Sequence, residues 1–326
     1  MRILSRRLVV VLAAVALLAV APAAMASAPA TPASSAGRTP PVPGAQRFEG
    51  GWAVPLSTTA PGWFDKAFYD QIVAAGDQGV RVPAGVSMPA AAGMDAMPGI
   101  HPGLWLITLL DQGYLYAWCS ANFVFVKSGT YGLGTAGHCA GRNGISPNGI
   151  VTAFVVPPPG SGKLPGFYAI GKFVLSHNNG IGDDFAMISI YPQYNSWVRP
   201  TMPLWGGPTG IYRANTPTEV NWVGNAAGFG ATGTARSGLA PLWYANSFAW
   251  YGPSFEGDSG AGVQVGIDPS TTGVEEAAGD LTHLVILDGS LKYLPGMMAG
   301  TRMSKILSIA TGWTLVKGNL VGVTAP

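Results

Sequence analysis

The chain is poor in charge: only 10% of its 326 residues are Asp, Glu, Lys or Arg, with 18 basic residues against 16 acidic. A nucleic-acid partner calls for a basic stripe, and this sequence has none. Cysteine is scarcer still, Cys119 and Cys139 being the only two. That number excludes a disulfide-dense scaffold. No His, Cys, Asp or Glu spacing suits a metal ion, and no metal or cofactor is implied. Apolar runs of membrane-spanning length are missing, and no repeat of fixed period argues for a solenoid. What is abundant is punctuation: 46 Gly and 27 Pro describe many turns, which suits short strands better than long helices.

The amino terminus sets the expected compartment. Arg2, Arg6 and Arg7 precede an uncharged apolar run over residues 8–20, and Ala24 and Ala26 follow as the small residues of a cleavage site. Such a run is short of the ~20 residues that cross a bilayer, so residues 1–26 read as a secretory signal peptide rather than an anchor. The mature chain would then hold 15 basic residues against 16 acidic, with no stable membrane association and an extracellular location. Oxidising surroundings favour a disulfide between Cys119 and Cys139, with free thiols or an intermolecular bridge as the alternatives.

Residues 27–102 form a Pro-, Ala- and Gly-rich leader, read as a pro-region, an accessory arm or a loosely ordered stretch. Within it, Phe64, Phe68, Ile72 and Val73 recur at helical spacing, and Gly76 stands past the end of that short helix. The texture changes at residue 103. "LWLITL", "NFVFVK", "VTAFVV", "FYAIGKFVL", "DFAMISI" and "TEVNWV" are short β-branched or aromatic runs separated by turn residues. They predict an all-β domain over residues 103–326, an antiparallel sandwich or barrel. "MSKILSIATGW" closes it with a short helix that Gly312 stops.

One stretch raises a chemical question. "SFEGDSGAG" over residues 254–262 places Ser259 in a glycine-rich turn, where serine is ordinarily just a turn residue. A nucleophile needs a base and an acid. Among the four histidines, His101 reads as a loop residue and His177 as a turn residue, while His283 could face core or solvent along a late strand. His138, in "GLGTAGHCAG", follows a strand-like run and adjoins Cys139. For the acid, Asp184 in "GIGDDFAMISI" opens a buried-looking strand, with Asp183 as its competitor. A carboxylate at that boundary can be desolvated on one side and still accept an imidazole N–H.

"TAGHC", "DDFAMI" and "GDSGAG", in that order, resemble the signature segments of chymotrypsin-like secreted serine proteases of bacterial type, over roughly residues 104–315. The resemblance implies two antiparallel six-stranded β-barrels with a short C-terminal helix, here behind an N-terminal extension. It implies Ser259 as nucleophile, His138 as general base then acid, and Asp184 as the orienting carboxylate. The backbone N–H groups of Gly257 and Ser259 would form an oxyanion hole. The substrate would be an extended polypeptide paired with a strand edge and cut as an endopeptidase cuts. Three departures bear on specificity and maturation. No Ile-Val-Gly-Gly start is present to pair with Asp258. Pro253 stands where trypsin-like members carry an acid. "LDG", with Asp288 and Gly289, replaces the usual Ser-Trp-Gly. Pro253, Ser254, Glu256, Asp288 and Gly289 are thus the candidate substrate-binding residues; they leave the preference at the cleaved residue undetermined, with an apolar side chain as a guess. The departures also motivate a rival reading, a catalytically inactive binding or scaffold protein on the same fold.

Overall fold

The β-branched and aromatic runs pair into two sheets. The computed structural model describes residues 45–48, 51–56, 58–86, 97–109, 116–141, 149–225, 234–266, 275–286 and 296–319, all within the unit Pro40–Pro326. The expected signal peptide lies outside them. Among the described residues, no helix is long and apolar enough to cross a membrane.

The fold is all-β. Nine strands form the first sheet, in the spatial order Thr314–Leu315, Val124–Lys127, Thr130–Thr135, Asp184–Ile190, Gly166–Asn178, Ile150–Val155, Trp105–Leu109, Tyr116–Ser120 and Thr58–Thr59. Ten form the second: Gln46–Phe48, Gly51–Pro55, His283–Ile286, Met297–Thr301, Ser247–Tyr251, Thr234–Trp243, Thr218–Gly224, Gly262–Val265, Glu276–Asp280 and Gly210–Ile211. Every pairing is antiparallel except that of Gly210–Ile211 with Glu276–Asp280. Both sheets run as open ladders among the described residues. They exceed six strands partly because the N-terminal extension supplies two strands to the second sheet and one to the first.

Each sheet has its own core. Leu106, Val124, Leu133, Val151, Ile170 and Ile188 are buried in the first, and Val220, Trp222, Phe248, Trp250 and Val263 in the second. A further cluster joins Phe123, Phe125, Phe185 and Met187 of the first sheet to Val223 and Ala277 of the second. The short helix Met303–Ile309 seals this seam with Met303 and Ile306. Burying one such side chain contributes roughly 1.5–3 kcal/mol, so the seam holds the two halves in register.

The expected N-terminal helix spans Lys66–Ala75. Asp65 caps it by accepting the Phe68 N–H at 2.9 Å, and Gly76, at φ +58°, ends it. Its apolar stripe, Phe68 and Ile72, packs with Phe64, Trp105, Phe154 and Phe167 on the outside of the first sheet. This part of the leader is therefore packed on the β domain.

Cys119 and Cys139 are joined, with Cα atoms 6.3 Å apart and a sequence separation of 20. The bridge ties Tyr116–Ser120 to the short 3-10 turn Gly137–Ala140 that carries His138. Replacing both cysteines by alanine should lower unfolding stability by about 3 kcal/mol in the chain-entropy account. Urea denaturation of the double variant beside the wild type measures it.

Candidate active site

His138 is fixed from three sides. Its turn follows the strand Thr130–Thr135, and within it Cys139 is bridged and its carbonyl accepts the Thr108 hydroxyl. Ser176 Oγ donates to the Gly137 carbonyl at 3.3 Å, and Asn178 Nδ2 to the Gly141 carbonyl at 2.6 Å. Position 137 must be glycine: a Cβ there would stand 1.7 Å from the His177 carbonyl oxygen and 2.9 Å from Asp184 Oδ1. The glycine lets the histidine turn lie directly on the acid.

Asp184 opens the strand Asp184–Ile190 and is fully buried. Its Oδ1 accepts the backbone N–H of His138 at 2.8 Å, and its Oδ2 lies 2.7 Å from His138 Nδ1. Thr301 Oγ1 donates to the Asp184 carbonyl at 3.2 Å, anchoring the strand to the second sheet. Asp183, the competitor, turns outward to Asn179, Lys305 and His177. An ionised carboxylate only accepts, so Nδ1 carries the imidazole proton and Nε2 is left as the acceptor. Nε2 lies 2.8 Å from Ser259 Oγ.

Ser259 lies just before the strand Gly262–Val265 of the second sheet and is fully buried. Gly257, at φ +98°, makes the turn that L side chains rarely adopt. Ser120, next to the disulfide, clamps that turn: its Oγ donates to the Gly257 carbonyl at 2.9 Å and its N–H to the Ser259 carbonyl at 2.7 Å. The Ser259 hydroxyl has a second partner, the carbonyl oxygen of Leu56. A hydroxyl carries one proton, so Ser259 donates to Nε2 or to that carbonyl at any moment.

Asp258, for which the sequence named no partner, has several. Arg236 grips it bidentately, Nη1 to Oδ2 and Nη2 to Oδ1, both at 2.5 Å. Ser254 Oγ and the Phe255 N–H donate to Oδ2 at 2.6 and 3.0 Å. Ser254, one of the expected substrate-binding residues, thus bonds the turn that carries Ser259. Pro253 gives its carbonyl to Arg236 Nη1 at 3.3 Å, and its ring, like the Glu256 side chain, is exposed. Asp288 and Gly289 lie outside the described residues. Arg236 carries no sequence signal, since it lies in a strand rich in small residues.

Beside Asp184 and His138 stand two groups that the sequence did not assign. His283 is buried with Nδ1 3.8 Å from Asp184 Oδ2, and burial pushes its imidazole down to about 3, the His138 charge adding to that push and the Asp184 charge opposing it. Asp280 is buried too; its Oδ1 accepts the Thr301 N–H at 3.1 Å. His101, expected in a loop, is also fully buried, and burial pushes it down to about 4.

The two buried carboxyls are driven apart. Burial opposes ionisation of Asp184, but the charge and hydrogen bonds of His138, with help from His283, outweigh it and hold the group below the usual carboxylate range. Burial and the neighbouring Asp184 charge push Asp280 well above that range, so it is neutral when Asp184 is ionised. The linkage signs follow. Asp184 contributes stability above the unfolded carboxylate value near 3.9, lost as pH falls through its depressed folded value. Asp280 contributes stability that is full below about 3.9 and is lost as pH rises towards its raised folded value. Asp280→Asn should therefore gain on the wild type by about 1.4 kcal/mol per pH unit above pH ~4, until the folded carboxyl ionises. Unfolding midpoints of the two proteins between pH 4 and 8 check this; a difference that stays flat, or shrinks, contradicts it.

No protein-family model matches this chain, and no curated protein matches it. Its structural neighbours include chymotrypsin-like serine proteases of bacterial type. Protease A of Thermobifida fusca is 19% identical, over 67% of this chain and 99% of that one, with a TM-score of 0.41. A glutamic-acid-specific serine protease is 17% identical, over 67% and 100%, at 0.43. Protease Anisep of Arthrobacter nicotinovorans is 17% identical, over 65% and 95%, also at 0.43. At such identities and scores the likeness transfers no function.

Proposed function

We propose that this protein is a secreted serine endopeptidase, which hydrolyses polypeptides through an acyl-enzyme on Ser259. The single observation that carries the reading is the continuous relay from Asp184 Oδ2 through His138 to Ser259 Oγ, with successive separations of 2.7 and 2.8 Å. Three residue types from three distant segments meet in a geometry that can make a hydroxyl nucleophilic.

In the first half-reaction Ser259 Oγ adds to a peptide carbonyl carbon as its proton passes to His138 Nε2. Asp184 stabilises the imidazolium that forms and stays ionised itself. The backbone N–H groups of Gly257 and Ser259 would stabilise the oxygen that becomes negative, each worth about 3 kcal/mol of barrier. His138 then returns the proton to the departing amine. Water hydrolyses the ester by the same steps. Arg236 acts one step removed, since Asp258 must be held for the turn to keep its shape. Export would follow from the N-terminal segment of residues 1–26.

A fluorophosphonate should add to the wild-type chain at Ser259, as read by intact mass and peptide mapping, and leave Ser259→Ala unmodified. Absence of any adduct on folded, disulfide-bonded protein, even after prolonged incubation, contradicts the reading. Arg236→Met should cost about 3–5 kcal/mol of stability, because it strands a buried carboxylate. It should also slow labelling by more than the loss of folded protein accounts for. Denaturation curves beside labelling rates separate the two effects.

A further inference from the structure

The segment that meets Ser259 comes from this chain's own leader, and it is bound as an extended peptide across both sheets. On one side, Gly51–Pro55 pairs antiparallel with His283–Ile286, matching Val54 with Leu284 and Pro55 with His283. The Leu56 N–H then donates to the Thr282 carbonyl at 3.0 Å, which continues the ladder to the residue whose carbonyl Ser259 touches. On the other side, Thr58 and Thr59 pair with Trp118 and Ala117, in the strand that ends beside the disulfide. The chain thus crosses from the sheet that carries Ser259 to the sheet that carries His138. Ser259 meets this segment at the Leu56 carbonyl.

The Leu56 side chain is 1% exposed and belongs to the apolar cluster of the second sheet, with Trp222, Trp250, Ala261, Leu281 and Met298. Of the charged groups beside that cluster, Arg236, 5.7 Å from the Trp222 ring, and Asp258 are engaged with each other, and Glu256 is exposed. A leucine fills the position, whereas a charged side chain there would lose its water without gaining a partner.

We infer that the peptide bond joining Leu56 to Ser57 is this protein's own cleavage site, and that peptide bonds following a leucine-sized aliphatic residue are its substrate class. The inference rests on the nucleophile assignment made above. When its proton is on Nε2, Ser259 Oγ adds to the Leu56 carbonyl carbon. The C–N bond to Ser57 breaks as His138 gives the proton to the Ser57 nitrogen. Water then attacks the Leu56–Ser259 ester, its proton passing through His138, and the products are a Leu56 carboxylate, a free Ser57 amine and a restored Ser259. The segment is docked in the same chain, so the cut is first-order in protein.

The test is the full chain, purified with its disulfide intact, as wild type, Ser259→Ala, Leu56→Met and Leu56→Asp, followed by intact mass and N-terminal sequencing. Expected are a new N-terminus at Ser57 in the wild type and Leu56→Met, at a rate independent of dilution, and none in Ser259→Ala. Leu56→Asp should be cut there at least about 100-fold more slowly. Near-UV circular dichroism shows whether that variant is folded. A synthetic peptide of residues 51–62 supplies a readout free of folding effects. The wild type should cut it after its leucine, and the same peptide with aspartate at that position should survive. A Ser57 terminus in Ser259→Ala as well, or equal cutting of the two peptides, overturns the inference. Ser259 labelled by a fluorophosphonate in a chain that stays joined at Leu56 overturns the self-cleavage while the nucleophile assignment stands. A folded chain neither cut nor labelled sinks both.

Discussion

One buried carboxylate organises this molecule. Asp184 holds His138 twice, by its backbone N–H and by Nδ1, so the imidazole can neither rotate nor choose its other tautomer. That two-point grip costs desolvation of a charge, which is recovered only because several donors and a polarisable ring converge on it. The surroundings make the arrangement affordable in structural terms. Burial pushes the His283 imidazole down to about 3 and the Asp280 carboxyl up, and Thr301 pins the strand, so of the two neighbouring carboxyls Asp184 is the first to ionise.

The disulfide and Ser120 extend this constraint from the first sheet to the second. Cys139 locks the turn of His138 to Tyr116–Ser120, and the last residue of that strand holds the turn of Ser259 on both of its flanking carbonyls. His138 and Ser259 therefore share a scaffold although they lie 121 residues apart. Arg236 completes the frame from the far side by neutralising Asp258. A misplacement of about 1 Å can cost on the order of 100-fold in rate, which is why so many separate bonds converge on two turns.

Much of this is legible in the sequence, for a definite reason. The strands Trp105–Leu109, Val124–Lys127, Ile150–Val155 and Asp184–Ile190 are β-branched or aromatic and bounded by turn residues, so periodicity finds them. The strands Thr234–Trp243, Glu276–Asp280 and Met297–Thr301 escape it. The first contains Pro241, tolerated at a register shift between Leu239 and Leu242; the other two are mostly Ala, Gly and Met, made strands by burial rather than propensity. Side chains that act through space leave still less trace. Nothing in "TARSG" marks Arg236 as the partner of Asp258, nothing in "GDLTH" separates a neutral Asp280 from an ionised Asp184, and nothing in "WAVPLS" announces a peptide lying on a serine. Ser254 illustrates the reverse: near Ser259 in sequence, its hydroxyl bonds the neighbouring acid Asp258.

The most direct test of the account is the activity of Asp184→Asn. The substitution preserves size and burial but lets the side chain donate, so His138 would turn its protonated nitrogen towards Ser259 and lose the ability to accept. With the disulfide formed and the near-UV spectrum unchanged, kcat on a leucyl peptide substrate should fall by about four orders of magnitude, the scale the Ser-His-Asp template shows for this change. A variant that folds and retains activity within tenfold of the wild type would contradict the claim that Asp184 sets the chemistry of this site.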